Sequence, residues 1–226
     1  MVDPVEAIKE KVVMVCKILQ KQRVIDGYGH VTARLPDGQI LSTPHMPPGK
    51  VAMRDLIIID GEGKKLSGAG EPNGETPMHT SIYKARPDVQ SILHYHADEL
   101  VAVAASGQGI KVLSNAGVHF YRGTPIYDSP LLIRDHQLGD KVAATLGDRS
   151  AVLLRGHGGT VVAKNLDQLV RLGLDLVRSA KLQIMAAPLG ALKTHSQEEC
   201  EQMIKGHERG DAQRRFLDYY ISEVVD

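Results

Sequence analysis

The sequence predicts a three-layer α/β/α protein with a central, mostly antiparallel sheet. Three observations carry this expectation. Apolar residues recur at helical spacing in the first segment and in one long late segment, two β-prone pairs fold around Asp-Gly turns, and a further strand pair meets at glycines. No repeat, low-complexity tract or linker interrupts them, so a single domain over residues 1–226 is expected.

Val5, Ile8, Val12, Val15, Ile18 and Leu19 share one helical face, which predicts an amphipathic helix from residue 4 to about 25, before the glycines of "DGYGH". "HVTARLPDGQILST" and "LIIIDGEGKKLSG" each place short β-prone runs around Asp37-Gly38 and Asp60-Gly61, the signal of a hairpin. After the loop "SGAGEPNGETP", Pro77 fits the first turn of a helix and Pro87 ends it. "VQSILHYH" follows as a strand and 97–106 as a short helix. One or two strands are expected around 117–127, and a helix over 134–146. "SAVLLRGHGGTVVAK" reads as two strands, and "NLDQLVRLGLDLVRSAKLQIMAA" as a long helix capped by Asn165. The remainder is helical, with Tyr219 and Tyr220 expected to pack on helices rather than to close over a pocket.

Composition narrows the function classes. Lys+Arg and Asp+Glu both number 27, and no basic run or basic-aromatic stripe offers an electrostatic footprint for nucleic acid or membrane. The partner expected is a small molecule. No uninterrupted apolar stretch of about 18 residues is present, and the N-terminal segment lacks the pattern of a signal peptide, so a cytoplasmic protein is expected. Cys16 and Cys200 lie far apart with no CxxC spacing and are read as reduced, buried or half-buried side chains.

The ten histidines carry the unusual chemistry. In a strand, His94 and His96 point to one face while Tyr95 points to the other, so two imidazoles can grip one cation. A catalytic metal commonly takes three protein ligands and keeps an open position. His157, flanked by glycines in "AVLLRGHGG", is the candidate third. Glu75, at the head of a predicted helix, is either an ordinary N-terminal carboxylate favoured by the helix dipole or a general acid/base beside the metal. His79, four residues on, is read as orienting Glu75 or filling the core. His136, His195 and His207 are expected to face solvent.

Together, "GETPMHTSIYKARPDVQSILHYH", "RGHG" and "GHVTARLPDG" resemble the class II aldolase/adducin family over about residues 8 to 185. The resemblance implies a class II aldolase-like fold and a homotetramer with active sites at subunit interfaces. It implies His94, His96 and His157 as ligands of a divalent metal, usually zinc, with Mn2+, Co2+ or Fe2+ as alternatives, and Glu75 as the catalytic acid/base. The sugar-phosphate aldolases of the family cradle phosphate at positions that here read His30, His45-Met46 and Asn73-Gly74. "GHVTAR" and "IYKARPDVQSILH" look more like the branch that decarboxylates hydroxylated aromatic or pyridine carboxylates.

The activity expected is therefore a metal-dependent carbon-carbon lyase, most simply a decarboxylase working through an enolate-like intermediate. The alternatives are an aldolase or epimerase acting on a sugar or a sugar phosphate such as fuculose phosphate, and a non-catalytic adducin-like module. His30, Arg34, Asn73 and Gly74 are expected to contact substrate. His119 and Tyr121 join them, read as alternating onto one strand face in a region that often reaches a neighbouring subunit's site in this family.

Overall fold

A computed structural model of the protein describes residues 3–208 and 211–225. Helix α1 (Pro4–Lys21) is capped by Asp3, whose carboxylate accepts from the Val5 N–H at 2.9 Å. It ends earlier than the apolar spacing predicts. Arg23 takes a φ of 58°, and the turn it makes buries Val24 and Ile25 away from the helix axis.

The two hairpins follow as expected: β1 (His30–Arg34) with β2 (Ile40–Ser42), then β3 (Ile57–Ile59) with β4 (Lys65–Ser67). Next come α2 (Thr76–Ala85), β5 (Ser91–Tyr95), α3 (Asp98–Ala105), β6 (Ile126–Tyr127) and α4 (His136–Leu146). The chain continues through β7 (Ala151–Leu154), β8 (Gly158–Ala163), α5 (Leu166–Ala186), α6 (Gln197–Glu208) and α7 (Ala212–Ser222). The strands form one sheet in the order β4-β3-β2-β1-β5-β8-β7-β6. Among the described residues, only the β6–β7 pairing is parallel.

Alternation along the central strands sorts their side chains into two cores. Leu93 and Tyr95 of β5, with Val31 and Ala33 of β1, pack under α1, α3 and α5. Ile92 of β5 and Val162 of β8 pack under α2 and α4. Ile92, Leu93 and Tyr95 are fully buried, and each such side chain contributes about 1.5–3 kcal/mol. A one-residue slip would exchange the two faces and forfeit several of these contributions at once. Packing thereby pins β5 in the register that sets His94 opposite His30 of β1 and Thr160 of β8, on the α2/α4 face.

Two expectations are corrected. The segment read as strand around 117–127 is a 3-10 helical turn over Asn115–Phe120, followed by only two strand residues. Ala116, Gly117 and Val118 are buried consecutively, which suits a turn wedged against α5 and α6 and not a strand with one wet face. The helix expected from 134 starts at His136, because Asp135 caps it by accepting from Leu138 N–H at 2.8 Å.

His136 is half-buried, its Nε2 lying 3.1 Å from Thr80 Oγ1, and His195 is also half-buried. Both keep part of the solvent exposure expected of them, the His136 side chain 43% of its surface, and the side chain of His207 lies outside the described residues. Phe216, Leu217, Tyr220 and Ile221 of α7 pack against the α1/α5 core, while Tyr219 is 57% exposed. Both cysteines are free and buried, and burial pushes the Cys16 thiol up to about 12. Among the described residues, no helix is long and apolar enough to cross a membrane.

Candidate metal centre

Two glycines bring the site together where strands meet loops. Gly29, at a φ of 104°, lets the chain enter β1 so close to β5 that an added Cβ would lie 2.9 Å from the His94 carbonyl oxygen. Gly158, at a φ of 138°, closes the β7–β8 turn against the end of β5. A Cβ there would meet the Tyr95 carbonyl oxygen at 2.3 Å and His96 Cα at 2.9 Å. Only glycine fits such a conformation without strain, and this approach carries His157 over His94 and His96.

Glu75 occupies the N-cap position of α2 but makes no capping bond. Its Oε1 instead accepts from the Ile133 N–H at 2.9 Å, and its Oε2 faces the histidines. That oxygen lies 3.3 Å from His157 Nε2, 3.6 Å from His94 Nε2 and 4.0 Å from His30 Nε2. His94 Nε2 and His96 Nε2 are 2.9 Å apart. One donor atom from each of Glu75, His94, His96 and His157 falls within 4.8 Å of all the others. Donors sharing a tetrahedral zinc at bond lengths of ~2.0–2.1 Å stand roughly 3.3 Å apart, so the spacing suits a shared cation.

Two observations favour a cation over a plain hydrogen-bonded cluster. His157 Nδ1 is buried and lacks a hydrogen-bond partner among the described residues, and its buried Nε2, 3.3 Å from Glu75 Oε2, makes no well-aligned hydrogen bond, an arrangement that costs free energy unless something else binds them. The second observation is the polarity at His94. Thr160 Oγ1 donates to Met78 Sδ at 3.5 Å and lies 3.0 Å from His94 Nδ1, so the imidazole donates there and keeps a bare Nε2 facing the cluster. This is how a metal-binding histidine is held by a second partner.

The electrostatics agree. Burial lowers the His94 and His79 imidazoles well below the ordinary value, and neighbouring imidazoles add to the effect. Burial lowers His96 as well, partly offset by Glu75 and Asp26. For Glu75, burial pushes the carboxyl up, but His157, the Ile133 N–H and His30 outweigh it and hold it below its usual value. Near neutral pH His94 and His96 thus present imidazole lone pairs and Glu75 a carboxylate, a donor set suited to a divalent ion.

His30 is buried beside the cluster, and burial lowers it to about 4 despite the pull of Glu75. Behind it runs a chain of hydrogen bonds. His30 Nδ1 meets His79 Nε2 at 2.9 Å, His79 Nδ1 meets Thr32 Oγ1 at 2.8 Å, and Thr32 Oγ1 meets the Tyr83 hydroxyl at 3.0 Å. Among the described residues the buried Tyr83 hydroxyl has no other hydrogen-bond partner. If Tyr83 donates to Thr32, Thr32 to His79 and His79 to His30, every hydrogen is used. The reverse polarity strands the Tyr83 hydroxyl proton, at about 1–3 kcal/mol. His30 therefore carries its remaining hydrogen on Nε2 and turns a donor toward Glu75. His79 orients His30, not Glu75.

The cluster opens into a cavity of about 920 Å3 whose lining includes His30, His45, Asn73, Gly74, Glu75, His96 and His157. Asn73 is fixed by donating to the Thr43 carbonyl at 2.8 Å. Arg34 is a correction: it donates to the Val89 and Tyr83 carbonyls and stacks on the Tyr83 ring, because it sits at the far end of β1 from His30. His119 and Tyr121 do not line the cavity of this chain. They belong to the 3-10 turn and the residue that ends it, and Tyr121 packs beside Val112, Val118 and Cys200.

Sequence reasoning missed Tyr28, Thr160, Ile133 and Arg134. Tyr28 stacks on His96 with ring centroids 6.0 Å apart, and Arg134 lines the cavity. Thr160 was accessible to period-two alternation in β8, two residues from buried Val162. The Ile133 contribution is a backbone N–H and leaves no residue-type signal.

Residues 10–184 match the family described as the class II aldolase and adducin N-terminal domain. A 3,4-dihydroxyphthalate decarboxylase from Arthrobacter keyseri is 32% identical over 203 residues, covering 82% of this chain and 81% of its own. An L-fuculose phosphate aldolase from Escherichia coli is 29% identical over 161 residues, covering 69% of this chain and 72% of its own. An aldolase II superfamily protein from Pseudomonas syringae superposes with a TM-score of 0.86 at 21% identity, covering 99% of this chain and 94% of that one. By sequence and by fold, the chain belongs to the class II aldolase and adducin family.

Proposed function

We propose that the protein is a metal-dependent carboxy-lyase that removes CO2 from a small hydroxylated aromatic or pyridine carboxylate. One observation carries the reading: Glu75 Oε2 faces the Nε2 atoms of His94 and His157, with His96 alongside, at the floor of an open cavity. The similarity to a 3,4-dihydroxyphthalate decarboxylase supports the bond type. So does the cavity lining, where His30, His45, Met46, Asn73 and Gly74 stand in place of a phosphate cradle.

In this reading His94, His96 and His157 hold the ion, and zinc best matches three imidazoles. Bound there, a divalent ion supplies Lewis acidity that stabilises negative charge on a substrate oxygen. The chain's own residues manage the proton. Glu75, ionised in the resting site, takes the proton of the substrate hydroxyl and delivers it to the ring carbon that bears the carboxylate. The resulting keto form loses CO2 as a β-keto acid does, and the bonding electrons return to the ring. His30 Nε2–H donates to a substrate oxygen and cannot act as a base through that atom. The exposed Tyr28 and Leu132, which line the cavity, support a subunit interface at the site, as in the tetramer the family resemblance implies.

Metal analysis followed by CO2 measurement over dihydroxybenzoates, hydroxyphthalates and pyridine carboxylates tests the proposal. Metal-dependent CO2 release is expected from at least one acid. Aldehyde release from sugar phosphates without CO2 from any acid would replace this reading with the aldolase.

A further inference from the structure

Among the described residues that line the cavity, Arg134 is the only arginine or lysine. Three other arginines are committed away from the cavity lining: Arg155 pairs with Asp128, Arg122 with Asp148, and Arg34 with two carbonyls. Among the described residues, the Arg134 guanidinium has no hydrogen-bond or ion-pair partner, and only its backbone N–H is engaged, with the Leu132 carbonyl. Its obvious anionic neighbour is Glu75, yet the two do not pair. Ile133 explains the separation: its N–H holds Glu75 Oε1 at 2.9 Å, and its fully buried side chain anchors the segment in the α2/α4 core. The next residue is thereby held beside the carboxylate while its side chain runs along the wall. Arg134 Nε lies 3.8 Å from where a Cβ of Gly74 would stand, one residue before Glu75. The cavity thus has an ion-binding floor and a separate, uncommitted cation on its wall.

We propose that Arg134 binds a second carboxylate of the substrate, so that the acid this enzyme prefers is an aromatic dicarboxylate. The inference rests on the decarboxylase reading given above. Arg134 holds the carboxylate that is retained. A carboxylate that departs as neutral CO2 loses its charge on the way to the transition state, so an ion pair to it would favour the ground state and slow the reaction. A pair to the retained carboxylate is equally strong in both states, which is the signature of binding expressed in KM and not in kcat. The planar guanidinium also suits a carboxylate by two parallel hydrogen bonds.

Phthalate and benzoate, which lack the hydroxyl needed for turnover, serve as binding probes for the zinc-loaded full chain in calorimetric titrations. Phthalate is expected to bind about tenfold or more tightly than benzoate. Arg134→Gln should erase that preference and Arg134→Lys should keep part of it. With a dihydroxyphthalate as substrate, Arg134→Gln should raise KM about 10- to 100-fold relative to the matching monocarboxylate, with the loss in KM. Equal affinity of the wild-type protein for the two probes, or equal weakening of both by Arg134→Gln, would overturn the assignment. A phthalate preference that depends on Arg134, with no CO2 from any acid, would support the anion site and refute the decarboxylase.

Discussion

Replacing Gly158 by alanine is expected to destabilise the protein by about 2 to 6 kcal/mol and to disable the histidine cluster. A φ of 138° costs a residue with a Cβ about 1–3 kcal/mol. The new Cβ would also stand 2.3 Å from the Tyr95 carbonyl oxygen and 2.9 Å from His96 Cα, so the turn must retreat by roughly 1 Å. Such overpacking costs a further 1–3 kcal/mol or so. That retreat carries His157 away from His96, whose ring centroids are 4.7 Å apart. Gly156→Ala is the control, because Gly156 has a φ of 72° with nothing within 4 Å of a built Cβ, so it should lose only about 1–2 kcal/mol and still bind metal. Urea unfolding of the metal-free variants, with zinc affinity by chelator competition, separates the two effects. Equal stability losses, or full zinc affinity in Gly158→Ala, would refute the reasoning.

Glu75→Gln should keep its metal yet lose at least about 100-fold in kcat; substantial turnover would remove Glu75 from the proton path. Thr160→Val takes away the acceptor for His94 Nδ1–H, and zinc affinity should fall roughly 10- to 100-fold, whereas unchanged affinity would mean that Thr160 does not orient the ring. Two-bond 1H–15N spectra of 15N-histidine protein should show His30 as the Nε2–H tautomer, and a protonated Nδ1 would contradict the Tyr83-to-His30 polarity. Burial raises the Asp175 carboxyl to about 6 against the partial offset of Arg171 and Arg178. The folded chain then holds that proton more tightly than the unfolded chain, so Asp175 costs stability as pH rises from about 4 through 6, by about 3 kcal/mol in all. In Asp175→Asn this part of the slope should vanish from melting curves taken across that range, and an unaltered slope would contradict the shift.

Much of the fold was legible because its signals are local. Hairpins at Asp37-Gly38 and Asp60-Gly61 need only turn chemistry, and His94 and His96 share a face by period two alone. Asn165 caps α5 as the sequence suggests, accepting from Gln168 N–H at 2.8 Å. The segment 115–121 misled because a short apolar run looks alike whether a sheet edge or a helix pair buries it. Arg34 misled for a different reason. Its strand face was right, but position along the strand decides whether a side chain reaches the site, and that depends on which strand end the loops converge on. Tyr28, Ile133 and Arg134 come from loops whose paths no spacing rule specifies.

The single hydrogen bond from Ile133 N–H to Glu75 ties the wall of the cavity to its reactive floor. With Glu75 and Arg134 in the roles proposed above, an insertion or deletion in the 128–135 loop would retune proton transfer together with ligand choice. A point substitution at position 134 changes the wall alone. Substrate range in this protein is thus open to change by exchanging side chains on a fixed loop, while changes in loop length are penalised through the carboxylate they would release.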